Sequence, residues 1–152
     1  MVIAVVGGAW LGVTAARAQS QPDADALQAN TVWTGTISGD ERKPKQDGER
    51  GAVLRITSRD GEKFAAEFVV RGNAMFALEF DGRIRNGQVA AKVTKIIKGR
   101  WPGGTIDDIW TGTLAGEELT LKHTSKQNLV STAKLKLDPD ASDSAGRRHR
   151  GK

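Results

Sequence analysis

Apolar and polar residues alternate with a period of two through most of this chain. The clearest run is Ala74 to Arg85, where Phe76, Leu78, Phe80, Gly82 and Ile84 alternate with Glu79, Asp81, Arg83 and Arg85. Successive side chains of a strand point to opposite faces, so this run predicts a strand with one face in a core and one in water. The same alternation predicts strands over Thr31 to Ile37, Ala52 to Ser58, Phe64 to Arg71, Gln88 to Ile97, Ile106 to Leu114, a stretch carrying Leu119, Leu121 and His123, and Leu129 to Leu137. Asp60-Gly61, Asn86-Gly87 and Gly116-Glu117 punctuate it as tight hairpin turns, and Gly72-Asn73 as another. No amphipathic helix is evident after the first thirty residues.

One phrase recurs within the strands. Trp33-Thr34-Gly35-Thr36-Ile37 returns as Trp110-Thr111-Gly112-Thr113-Leu114, and more loosely as Phe80-Asp81-Gly82-Arg83-Ile84. In each, an aromatic, a glycine and an aliphatic residue fall on one face. We read this as a packing device, the glycine leaving room for a ring and letting the strand bend.

About eight strands in succession, joined mainly by hairpin-length connections, predict an all-β, single-domain antiparallel up-and-down meander closed into a small barrel. Closure would pair the first strand with the last and leave no edge. A two-sheet β-sandwich uses the same strands and is the alternative. Over Thr31 to Leu137 the outline resembles the lipocalin and avidin type of barrel. The resemblance is one of layout: those barrels carry Gly-x-Trp on the first strand, whereas this chain has Trp33-Thr34-Gly35, the reverse order. It implies a barrel able to hold a ligand, and it transfers no functional residue.

Connection lengths add a polarity. In a meander alternate connections share an end, so the three tight turns lie together. The opposite end receives Ser38 to Gly51, Gly72-Asn73, Lys98 to Thr105 and Ser125 to Asn128. Long loops on a rigid scaffold are where binding groups concentrate, which makes that end the candidate mouth.

The termini read differently. Residues 1–18 are apolar and small and end in Ala16-Arg17-Ala18, the pattern of a cleaved signal peptide, although no cation precedes the apolar run. The expectation is export to the periplasm or the extracellular space, with 19–30 a flexible leader, 31–137 the barrel and 138–152 a disordered basic tail holding Arg147-Arg148-His149-Arg150. The apolar run is too short to cross a bilayer as a helix. The 152-residue chain has no cysteine, which excludes disulfides, thiol catalysis and Cys-based zinc sites. A net charge of +5 favours acidic partners without the dense basic stripe of a committed nucleic-acid binder.

Two constellations carry candidate chemistry. Arg100 and Trp101 sit in a long loop with Arg42, Lys43, Lys45, Arg50, Lys98 and Lys126 also at the mouth, where an aromatic beside cations can stack on a ring and attract an anion. The acidic residues Asp40, Glu41, Asp47 and Glu49 interleave with these cations, as in any solvated loop. Inside, extending the inward alternation places Lys95 after Val93, Asp108 before Trp110, His123 after Leu121 and Ser131 before Ala133, all near the mouth. Lys95 would then pair with Asp108 and His123 with Ser131, either as a polar ring at the wet end of the barrel or as a cradle for an anion. A Ser-His-Asp triad also needs hydrogen-bond geometry and an oxyanion hole, and spacing does not supply them. Asp107 and Asp108 alternate sides and His123 is the only histidine of the barrel, so neither metal nor cofactor binding is expected. A phosphate loop is excluded by the lack of G-x-x-x-x-G-K-[ST] before a helix.

Three functions remain from these readings. The first is a non-enzymatic monomeric barrel binding a small, anionic and partly apolar ligand at its long-loop end. The second is a solid barrel acting as a protein-interaction or inhibitor module, or as a binder of acidic envelope polymer. The third is a small hydrolase or isomerase using His123 with Asp108.

Overall fold

The computed structural model describes residues 27–39, 49–72, 75–100, 104–126 and 128–141. The predicted signal peptide, the first part of the leader, Trp101, the cations Arg42, Lys43 and Lys45, and residues 142–152 lie outside the described residues. Eight strands form where the alternation predicts them: β1 (Val32–Ser38), β2 (Arg50–Asp60), β3 (Lys63–Val70), β4 (Phe76–Arg85), β5 (Gln88–Gly99), β6 (Ile109–Ala115), β7 (Glu118–Thr124) and β8 (Val130–Asp138). Each pairs antiparallel with the next. The ladder of β1 with β8, from Val32↔Asp138 to Ser38↔Thr132, closes the barrel and excludes the sandwich.

Local chemistry explains the tight end. Asn86 and Gly87 both have positive φ, the backbone that a two-residue hairpin turn of this twist demands. Gly61 and Gly116, each the first residue of a two-residue turn, also have positive φ. The turns before β3, β5 and β7 therefore share one end, and the longer connections share the other.

Large rings pack against one another inside the barrel. Trp33, Phe68, Phe76, Phe80 and Trp110 are all buried to within 2%. Phe68 lies among them, its ring centroid 5.5 Å from Trp110, 5.7 Å from Phe80 and 6.5 Å from Phe76. Such ring pairs add about 0.5–1.5 kcal/mol each beyond the area they bury.

The expected leader is part of this structure at its end. Leu27 is fully buried in the core. The Asn30 N–H donates to the Ile56 carbonyl at 2.8 Å and the Ile56 N–H to the Thr31 carbonyl at 3.0 Å, so residues 27–31 are stitched to β2 near the tight-turn end. At the other terminus β8 continues to Asp138, whose carboxylate accepts from the Ala141 N–H at 3.0 Å at the start of a helical turn.

The recurrent phrase has two physical meanings. A Cβ on Gly35 would meet the Lys134 carbonyl of β8, and one on Gly112 the Thr120 carbonyl of β7. At both places the neighbouring backbone, not a ring, occupies the space. Gly82 alone fits the expectation of room for a ring, and that ring is Phe64 of β3, its direct cross-strand partner.

Candidate functional site

The loop end brings together Asp108, His123 and Trp110. Asp108 precedes β6, and the backbone around it is tied to β5: the Val93 N–H donates to the Asp108 carbonyl and the Asp107 N–H to the Val93 carbonyl, each at 2.9 Å. The Asp108 carboxylate accepts from the Thr105 N–H at 2.7 Å and the Thr105 hydroxyl at 3.0 Å, which folds 105–108 into a tight turn. Its Oδ2 also lies 3.3 Å from His123 Nε2. His123 reaches it because β7 pairs with β6 at Trp110↔His123, and the imidazole stacks on the Trp110 indole at 5.3 Å.

Burial sets the charge states. Removal from water pushes the His123 pKa below its ordinary 6.5, against the opposing pull of Asp108. The ring is therefore neutral at neutral pH, and the tautomer that makes the observed bond carries its proton on Nε2. Partial burial pushes Asp108 up, but the Thr105 N–H and hydroxyl, with His123, outweigh it and hold the carboxyl below its ordinary 3.8.

The other expected members are placed elsewhere. Lys95 is not inside. β5 pairs with β4 at Phe80↔Val93 and Glu79↔Lys95, so Thr94 is an extra residue, a β-bulge, and its hydroxyl donates to the Glu79 carbonyl at 3.2 Å. The bulge reverses the alternation. Ile96 takes the inward position, and Lys95 stands on the outer wall with its ammonium 3.5 Å from Glu79. The expected Lys95–Asp108 pair is thus replaced by Asp108–His123. Ser131 does face His123 in the β7–β8 register, but among the described residues no hydrogen bond joins them, and the cross-strand side-chain pair expected there is absent. Arg100 is exposed and bonds to neither Asp108 nor His123. Asp107 and Asp108 do alternate sides: Asp107 lies outside, 2.7 Å from the Lys92 ammonium.

Chemically, this is a latch. His123 is only 3% exposed, and the pair fastens the 105–108 turn to β7. Thr105, which the sequence reading did not single out, is its third member. The Thr-x-x-Asp spacing was its signal, a threonine and an aspartate able to close a turn on each other.

The outer wall holds depressions of its own. A groove of about 500 Å³ crosses β2 to β6, with Lys63, Arg83 and Lys92 mixed among Asp60 and Asp81. Another of about 380 Å³ crosses β7, β8 and β1, lined by Thr34, Thr36, Thr120, Lys134, Lys136 and Glu118. Neither was anticipated, because alternation distinguishes inside from outside without saying where the outside is concave. No protein-family model matches the chain, and no curated protein matches it.

Proposed function

We propose that this protein is a non-enzymatic binding module that works through the outside of a filled barrel and engages an acidic partner. The packing of the interior carries the reading. Trp33, Phe68, Phe76, Phe80 and Trp110 fill the space in which a lipocalin-like barrel would hold a ligand. The luminal alternative also loses Lys95, its inward cation, to the outer wall. The enzymatic alternative keeps its His123–Asp108 pair at 3.3 Å, but on an imidazole that is almost wholly buried. The +5 charge supports the sign of the partner. Export is part of the proposal, resting on Ala16-Arg17-Ala18, and N-terminal sequencing of the natural protein is its check: a mature start near Gln19 is expected, and retention of Met1 contradicts it.

Titration with an apolar fluorescent dye tests the filled interior. The wild type is expected to show no saturable one-to-one binding, and the cavity opened by Phe68→Ala is expected to take benzene or xenon but not the larger dye. Saturable binding by the wild type would refute the reading.

A further inference from the structure

The two halves of the barrel wall differ in charge. Strands β2 to β5 hold nine Lys and Arg residues against four Asp and Glu. Strands β6, β7, β8 and β1 hold three against two, and Lys136 there already lies 3.1 Å from Glu118. The groove of about 500 Å³ lies on the cationic half and follows two cross-strand rows of outward residues. In one row Ala65, Asp81, Lys92 and Ile109 stand side by side on β3 to β6. In the other, toward the tight turns, stand Asp60, Lys63, Arg83 and Ala90 on β2 to β5. The short side chains of Ala65 and Ala90 set the floor. Ile109 closes the β6 end at 56% exposure, the most of any large hydrophobic residue among those described.

Within the groove the charges are not all neutralised. Lys63 and Arg83 face each other directly across the β3–β4 ladder, and neither makes an ion pair with any described residue. Like charges set opposite each other in this way cost the sheet stability. The neighbouring cations are engaged: the Lys92 ammonium lies 2.7 Å from Asp107, and Arg85 lies 3.8 Å from Glu62. Asp60 is opposite Lys63 on β2 without an ion pair to it, and Asp81 is opposite Lys92 in the next row. One position between Lys63 and Arg83 thus suits an anion, while its surroundings on two sides are acidic.

We propose that this groove docks an acidic segment of a protein partner, which sets a carboxylate between Lys63 and Arg83 and an apolar side chain over Ala90 beside Ile109. The inference rests on the reading of a filled barrel that works through its outside on an acidic partner, and it names the surface and the partner class. Charge complementarity selects the sign, because a carboxylate seated there offsets the repulsion between Lys63 and Arg83. An apolar floor with charges at its rim is how protein–protein contacts are built around an anchor side chain. The spacing fits an extended peptide crossing the strands. With strands about 4.8 Å apart, Ala90 lies about 7 Å from the midpoint of Lys63 and Arg83, the separation of same-side residues in an extended chain. Asp60 and Asp81 disfavour a uniformly anionic polymer. A nucleic acid or acidic polysaccharide repeats its charge along its length and would set one beside these carboxylates, whereas a peptide can follow a carboxylate with an apolar side chain.

Selection from a random nine-residue peptide library against the full chain, followed by amide shift mapping with the tightest peptide, tests this. The selected peptides are expected to carry an acidic residue two positions from an aliphatic one, with saturable shifts at Lys63, Ala65, Arg83, Ala90 and Ile109. Lys63→Glu/Arg83→Glu should weaken binding about tenfold or more, while Lys134→Glu/Lys136→Glu, the same change of net charge on the other half, leaves it within about twofold. Ala90→Gln, which fills the floor without changing charge, should weaken it about fivefold or more. Without peptide, Lys63→Glu is expected to raise the urea midpoint, since it places opposite charges across the ladder. A lowered midpoint, equal losses from both charge-reversal pairs, polyglutamate or alginate binding as tightly as the selected peptide, or no selected peptide would each overturn the inference. Peptides without acidic residues seated in the groove would overturn the acidic partner itself, and shifts confined to Phe68, Trp110 and their neighbours the filled barrel.

Discussion

The inner and outer faces of these strands are written in alternate letters of the same segments, yet they answer to different constraints. Inside, Phe68 touches three other rings and Gly35 has a carbonyl where a methyl would be, so nearly every atom is specified by its neighbours. Outside, Thr36, Thr120 and Lys134 face water and support little of the fold. The inner face is thus where substitution costs stability, and the outer face is free to be shaped by a partner.

The largest expected effect lies inside. Phe68→Ala should cost about 3–5 kcal/mol in urea unfolding, since it removes a ring from the middle of the aromatic cluster. A loss below about 1 kcal/mol would mean that the core is loosely packed.

Next come the glycines, which divide the inner face itself. Gly35→Ala and Gly112→Ala force a methyl against the backbone of the adjacent strand, and each should cost about 3 kcal/mol. Gly82→Ala meets the end of the Phe64 side chain, which can rotate aside, so its cost should be about 1 kcal/mol. Equal costs at Gly35 and Gly82 would erase the distinction between backbone and ring.

The rim latch should give an intermediate, pH-dependent effect. The His123 pKa is lowered by folding, so below pH 6.5 the unfolded chain binds a proton that the folded chain does not. Its contribution is fully present above 6.5 and is lost as pH falls from there toward the folded pKa. Asp108 is also lowered, and its contribution is lost only below about its ordinary 3.8. Urea midpoints should therefore drop between pH 7 and pH 5 in the wild type, with a shallower drop in His123→Gln. An unchanged slope in that variant would show that another group titrates there.

The smallest effect belongs to the outer wall. Lys134→Glu should change stability by less than about 0.5 kcal/mol, because it is exposed and makes no ion pair with any described residue. A larger loss would mean that the wall is structural.

Much of the fold was legible because it rests on period two. Phe76, Leu78, Phe80, Gly82 and Ile84 announced β4, and Asn86-Gly87 announced its turn. The candidate site was harder to read because one unpaired residue breaks the count. Nothing in Val93-Thr94-Lys95 marks Thr94 as a bulge, and that single insertion moved Lys95 from the expected interior to the outer wall. Asp108 and His123 were read correctly as inward, but their pairing depends on how the 105–108 turn bends, which spacing alone does not give. Leu27 was missed because one leucine in a polar leader has no periodicity to reveal its burial.

Native mass spectrometry of the protein purified from its own source tests the central claim most directly. The account predicts a chain with no stoichiometric small molecule, any acidic partner coming away as salt is raised. A single small molecule of fixed mass, retained at high salt and released only when the barrel unfolds, would contradict it.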